Sequence, residues 1–326
     1  MLTEKNHRKH IVASVLCLSL IIGVLTSCNQ MNPSQVSSST EAGDASVKST
    51  AFTDAIGNKV EATSAKRVIA LMGSFAETWL NAGGTLVGVT SDAYTGHQMN
   101  LSKDVVNLGL YTNPSMEKII SLKPDFIILS ADTTEHVKLC KTLRQAGLNA
   151  ACFKVNTFGD YLKMLQICTQ ITGRNDLYEK NGTVIEKQID TVIAGANGKK
   201  SPSVLFVRAY SSGYKALNSS SMTGVMLKDL GATNIADNDR NLLDNLSMDA
   251  IIERDPDYIL VVTMGSNEKK ALALIDQQLK SNPAWAGLKA VKNNKYYVIP
   301  RDLFHYKPNA RWGESYEYLS KLLYGD

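Results

Sequence analysis

What the chain lacks narrows it first. Of 326 residues only five are Cys, and beyond position 28 only Cys140, Cys152 and Cys168 remain, at spacings of 12 and 16. They form no Cys-x-x-Cys pair and no metal-ligand pattern. Cys140 and Cys168 sit in helical stretches and Cys152 in a strand, so all three read as buried free thiols. Histidine is equally sparse: past the N-terminal stretch only His97, His136 and His305 occur. Three scattered imidazoles do not supply the converging donors of a free zinc or manganese site, so no resident metal is expected. No block of like charge appears, which makes nucleic acid a poor partner. Gly-x-Ser-x-Gly, the P-loop and Gly-x-Gly-x-x-Gly are all missing after strands, so no enzyme is expected. An α/β hydrolase, a nucleotide-dependent enzyme or a surface adhesin is left as a remote alternative.

What is present begins at the N-terminus. MLTEKNHRK carries three Lys/Arg against one Glu, and an apolar run ending in small residues follows. The run from Ile11 to Thr26 is shorter than the roughly 20 residues a membrane-spanning helix needs, so residues 1–28 read as a secretory signal. Its end, Leu25-Thr26-Ser27-Cys28, resembles the lipobox of bacterial lipoproteins, which implies acylation of Cys28 and a membrane anchor. Removing residues 1–28 takes Lys+Arg from 35 to 32 and Asp+Glu from 31 to 30, a mature charge of +2. Residues 29–50 are Ser/Thr-rich and nearly free of large apolar side chains, which suits a flexible tether.

The remainder alternates short apolar strands with helical periodicity. FTDAIGNKVEA (52–62) reads as a hairpin around Gly57-Asn58. Strands are expected at 67–71, 86–90, 105–109, 125–129 and 151–155, with helices closing on Gly or stopping before Pro124. From Asn175 to Ala196 no strand interrupts a 3–4 spacing of Leu177, Val184, Ile185, Ile189, Val192 and Ile193, which predicts one long helix. A second alternation follows, with strands at 203–209, 258–263 and 295–300. The expected fold is α/β: two Rossmann-like lobes with mainly parallel sheets, joined by one long helix, with a ligand cleft between them. The boundaries read as 51–173 for the first lobe, 174–198 for the connecting helix and 199–326 for the second.

The chain also repeats itself. PSMEKIISLKPD (114–125) and LSMDAIIERDPD (246–257) share Ser, Met, Ile, Ile, Pro and Asp at matching offsets, with Glu117 opposite Asp249. With DAIGNKV, RVIALMGSFAETWLNAGG, LVGVTSDAY and NLGLYTNPSMEKIISLKPDFIIL, this resembles the substrate-binding lipoproteins of ATP-driven importers for iron complexes and cobalamin, the helix-backbone or class III binding proteins. The resemblance covers roughly residues 52–326.

That resemblance implies the partners. An acid on each lobe of the family meets Arg residues of the membrane permease, so Glu117 and Asp249 are expected to dock a permease dimer. It also implies a monomer held by its lipid outside the cytoplasm, on a Gram-positive outer face or in a Gram-negative envelope. The cargo is expected to be a small metal chelate, most simply a ferric siderophore, with haem or cobalamin as the alternative. Metal enters only inside the cargo, so no cofactor is expected. Cleft loops after the strands offer Met72, Ser74, Tyr94, Tyr111, Arg208, Tyr210, Tyr214, Arg301 and His305. Aromatic rings suit a bulky planar ligand and Arg suits carboxylate or catecholate oxygens. A single stiff helix between lobes also predicts only a small closure on ligand.

Overall fold

The computed structural model describes residues 49–325 apart from 64, 245 and 266. The signal, Cys28 and nearly all of the tether lie outside the described residues. Among the described residues no helix is long and apolar enough to cross a membrane.

The chain enters through an antiparallel hairpin, β1 (Ser49–Thr53) with β2 (Lys59–Thr63). Gly57 turns it at φ +87°, a left-handed conformation that suits glycine. Asp54 holds the turn by accepting from the N–H groups of Ile56 and Asn58, from the Asn58 amide and from Cys152 N–H.

A five-stranded parallel sheet follows. Its strands are β3 (Val68–Ala70), β4 (Leu86–Val89), β5 (Val106–Asn107), β8 (Phe126–Ser130) and β9 (Ala150–Phe153), in the order β5-β4-β3-β8-β9. The small hairpin β6 (Gly109–Leu110) and β7 (Asn113–Pro114) lies apart from it. The 105–109 stretch is thus not one strand but two short ones. Gly109, at φ +92°, begins the second and starts the hairpin. β3, β8 and β9 are buried along their whole length, as strands covered on both faces must be.

The second sheet is built on β10 (Ser203–Tyr210). Its order is β11-β10-β13-β14, with β12 (Thr233–Asn234) beside the start of β10. β11 (Gly213–Ala216) is antiparallel to β10, whereas β13 (Tyr258–Thr263) and β14 (Tyr296–Val298) are parallel to it and to each other respectively. β11 and β12 have little sequence signal, since GYKA and TN are too short to show an alternation.

Between the sheets the helix is continuous from Asn175 to Ala196, with a π turn at Glu179–Thr183. Gly182 lies in that turn close against Leu162: a Cβ there would come to 3.0 Å from the Leu162 side chain. Tyr161 donates its hydroxyl to Asn181 O at 2.9 Å, satisfying a carbonyl of the turn. The α/β reading with two lobes therefore holds. One apolar cluster runs through both halves, joining Phe75, Trp79 and Phe126 to Ile185 and Ile189 of the helix and to Phe206, Leu260 and Trp312. Each large side chain so buried stabilises by roughly 1.5–3 kcal/mol.

The repeated dodecapeptide does the same structural task twice. Ser115 and Ser247 cap the helices Met116–Ser121 and Met248–Arg254, each accepting a backbone N–H at 3.3 Å. Ile119 and Ile251 are fully buried, while Ile120 and Ile252 are exposed. Both helices leave through a left-handed residue before the Pro, Lys123 at φ +44° and Asp255 at φ +39°. The closing acids then pin the first strand of each sheet: Asp125 accepts from Arg67 N–H and Asp257 from Ser203 N–H, each at 2.9 Å.

Candidate functional site

The site is made where the segment after β14 reaches the first sheet's side. A short helix, Arg301–Phe304, follows β14, and Thr223 donates to Phe304 O to hold it. The chain then threads to the helix Gly73–Asn81. Lys307 N–H donates to Ser74 Oγ at 3.3 Å, and its ammonium donates to Asn156 Oδ1 at 3.1 Å. Asn309, held at φ +53° and 1% exposed, donates to Ser74 O at 2.9 Å and Glu77 Oε2 at 3.0 Å. Its carbonyl accepts from Thr78 Oγ1 at 3.0 Å. His97 completes the network, with Nε2 3.0 Å from Ser74 Oγ and Nδ1 3.1 Å from Glu77 Oε2.

Tyr306 fills the gap between the halves. Its ring centroid is 4.8 Å from that of His97 and 5.0 Å from that of His305, and its hydroxyl accepts from Arg301 Nη2 at 2.7 Å. None of His97, Glu77, Tyr306, Lys307 and Asn309 stood out in the sequence. The only signal was the polar run HYKPNAR directly behind Arg301.

Electrostatics distinguish the place. Arg208, Arg301 and Lys307 all act on His305, whose imidazole is pushed down to about 3 by burial first and then by those cations. It is therefore neutral at pH 7. Burial also lowers the Arg208 guanidinium and the Lys307 ammonium. Lys307 has Asp132 at 3.9 Å, but among the described residues neither Arg208 nor Arg301 pairs with a carboxylate. Asp302 is turned to Arg311 at 2.6 Å. Arg208 Nε, Arg301 Nε and His305 Nδ1 are buried without a partner. Such orphaned groups are costly and suit a ligand that supplies acceptors.

A cavity of about 840 Å³ opens at Arg301, with neither Arg208 nor His305 in its lining. Arg301, Tyr306 and Lys307 line it from one side, and Glu77, His97 and Met99 from the other. That volume is within the usual range for a small-molecule site.

The structure brings only some of the expected cleft residues together. Arg208, Arg301 and His305 converge, and Tyr210 shares the Arg208 face of β10 by strand alternation. Tyr214 pairs with Ala209 and packs into the core on the opposite face, away from Arg208. Ser74 is buried in the His97–Asn309 network. Met72 is half-buried against the core at the N-cap of its helix. Tyr94 packs on the core and gives its hydroxyl to Val105 O at 3.2 Å. Tyr111 is exposed; its carbonyl accepts from His136 Nε2 at 2.7 Å, while His136 Nδ1 accepts from Ser130 N–H. Those two bonds fix a neutral His136, whose pKa burial also lowers.

Glu117 and Asp249 are exposed in the first turns of their helices, and neither has a partner among the described residues. Ile120 and Ile252, three residues on in each case, are 53% and 41% exposed. Each half thus presents a free carboxylate one turn from an uncovered apolar side chain.

Comparisons with known proteins agree with this architecture. The sequence pattern described as periplasmic binding protein matches residues 68–303. The chain is 27% identical over 295 residues to the Fe(3+)-citrate-binding protein YfmC of Bacillus subtilis, covering 89% of each chain. Among solved structures, an ABC transporter substrate-binding protein from Listeria monocytogenes superposes with a TM-score of 0.66 at 24% identity, over 80% of this chain and 99% of that one. IsdE of S. aureus complexed with heme gives 0.65 at 20% identity, over 80% and 99%.

Proposed function

The chain belongs to the periplasmic binding protein family, and from that premise we propose that it captures an anionic ferric chelate outside the cytoplasm and delivers it to an ABC-type permease. The observation that carries this reading is the cluster of Arg208, Arg301 and Lys307 around a neutral His305, in which neither guanidinium pairs with a carboxylate among the described residues. Carboxylate or catecholate oxygens of a ferric siderophore or ferric hydroxycarboxylate accept from the orphaned guanidinium N–H groups. The similarity to an Fe(3+)-citrate-binding protein supports the same class. Iron enters as part of the cargo, and the protein keeps no resident cofactor. Glu117 and Asp249 dock the two permease subunits, and a monomer is tethered through acylated Cys28.

Fluorescence quenching of the three Trp, Trp79, Trp285 and Trp312, tests the proposal. Ferric citrate, a ferric catecholate siderophore, hemin and cobalamin form the panel, each at low and high salt. The expected result is binding of the anionic ferric chelates that weakens with salt and is lost in an Arg208→Ala, Arg301→Ala double variant. Salt-independent binding of cobalamin alone would overturn it. The free ring nitrogen of His305 favours haem as the second reading. A hemin Soret band displaced in His305→Ala would establish that cargo instead.

A further inference from the structure

Away from the cleft, two of the three thiols meet. Cys140 lies on the buried face of the helix Thr134–Gln145 with His136 and Leu143, and Cys152 lies on β9. Both are fully buried. The ligand atoms of Asp54, Cys140 and Cys152 all lie within 4.8 Å of one another. Cys168, equally buried, is not part of this group.

Two chemistries fit such a trio, a soft metal ion or a covalent bond between the sulfurs. The carboxylate decides between them. Asp54 already accepts four hydrogen bonds, two on each oxygen, from Ile56 N–H, Asn58 N–H, the Asn58 amide and Cys152 N–H. No lone pair is left for a metal without undoing the β1–β2 turn. The two sulfurs lie within 4.8 Å of each other and close to about 2.05 Å in a disulfide, across a connection that turns at Gly147 with φ +79°.

We propose that Cys140 and Cys152 form a disulfide, a covalent lock between the helix Thr134–Gln145 and β9. The oxidant is a low-molecular-weight disulfide such as oxidised glutathione. The Cys140 thiolate attacks one of its sulfurs and expels a thiolate. Cys152, giving up its proton, then attacks Cys140 Sγ and expels the second. Two electrons and two protons leave the pair, and the oxidant becomes two thiols. Cys140 is the first attacker because its neighbour Cys152 lowers the Cys140 thiol, whereas the same neighbour and burial raise the Cys152 thiol. Because both thiols are buried, the reaction waits on local opening and is slow.

Peptide mapping of the mature chain tests the pair. The folded protein is incubated with oxidised glutathione, then denatured, alkylated and digested without reductant. A Cys140–Cys152 linked peptide, lighter by two hydrogens than the sum of its parts, is expected, with Cys168 alkylated in full. Oxidation is also expected to raise Tm by several degrees in wild type and in Cys168→Ser, but not in Cys140→Ser or Cys152→Ser. Full alkylation of Cys140 and Cys152 after prolonged incubation would overturn the proposal. So would glutathione adducts spread equally over all three thiols. A Tm rise on adding zinc to the reduced protein, lost in Cys140→Ser, would assign the trio to metal instead. The mapping of wild type stands even where a serine variant fails to fold.

Discussion

Asn309 and Glu77 are hydrogen-bonded at 3.0 Å across the two halves of the molecule, 232 positions apart in the chain. The same Asn309 amide group also reaches Ser74 O, and its carbonyl takes the Thr78 hydroxyl. One side chain thus makes three hydrogen bonds to the helix Gly73–Asn81. Replacing it with Ala removes all three, leaving Glu77 with His97 and Thr78 with Ser74 O. Asn309→Ala is expected to lower unfolding free energy by about 2–4 kcal/mol, read from denaturant titration. An effect below about 0.5 kcal/mol would show that water replaces the bonds without loss.

The cation cluster trades stability for affinity. Arg208 and Arg301 are held beside Lys307 with no carboxylate of their own. Arg208→Met is expected to leave the unfolding midpoint of the empty protein unchanged or higher, since it removes a half-buried unpaired charge. The Arg208→Ala, Arg301→Ala double variant should lose on the order of 100-fold in affinity for an anionic ferric chelate. Calorimetric titration and thermal melts on the same samples separate the two effects.

Acid should loosen the protein in a defined window. His305 is held near 3, below the unfolded value of 6.5, so the unfolded chain binds a proton first as pH falls. Its contribution is complete above pH 6.5 and is lost progressively between about 6.5 and 3. His136, also lowered by burial, acts in the same direction. His305→Asn is expected to flatten that part of the stability–pH curve by at most about 5 kcal/mol, at about 1.36 kcal/mol per pH unit. An unchanged acid limb in that variant would assign the pH dependence to other groups.

Charge reversal separates docking from capture. Glu117→Lys with Asp249→Lys should abolish uptake in cells while cargo affinity in vitro changes less than about twofold, as for distant independent sites. The helices should survive, because Ser115 and Ser247 supply the caps. Loss of cargo binding in that variant would remove the docking role.

The strands that carry both sheets were legible because central parallel strands are continuous apolar runs. VIA at 68, FIILS at 126 and YILVVT at 258 needed no tertiary information. The antiparallel edge β11 was not, since half its residues face solvent and its partner is chosen by the Ser211-Ser212 turn. In the repeat, sequence showed Ser115 and Ser247 recurring at one offset but not the work of Asp125 and Asp257. Pinning β3 and β10 joins residues more than 50 positions apart, which no local pattern records. The site divides in the same way. Arg208 lies near the carboxyl end of β10, and Arg301 and His305 follow β14, so all three could be found by position. Tyr214 could not be placed without the register of β10 and β11, which turns it to the other face. Asn309 and Glu77 acquire meaning only once the two halves meet.

The π turn at Glu179–Thr183 sets the phase of the connecting helix. Each residue of an α-helix rotates its successor by about 100°, so one additional residue in a turn re-aims everything downstream. Before the turn, Leu177 packs over Gly83 beside the first sheet. After it, Ile185, Ile189 and Ala196 join the core that also holds Trp312 and Leu319. The wide turn falls between the part of the rod that meets Gly83 and the part that joins the core with Trp312 and Leu319. Deleting a single residue there would swing the downstream stripe toward solvent while leaving helix content nearly intact. The phase of the downstream stripe is therefore written into the five residues Glu179–Thr183.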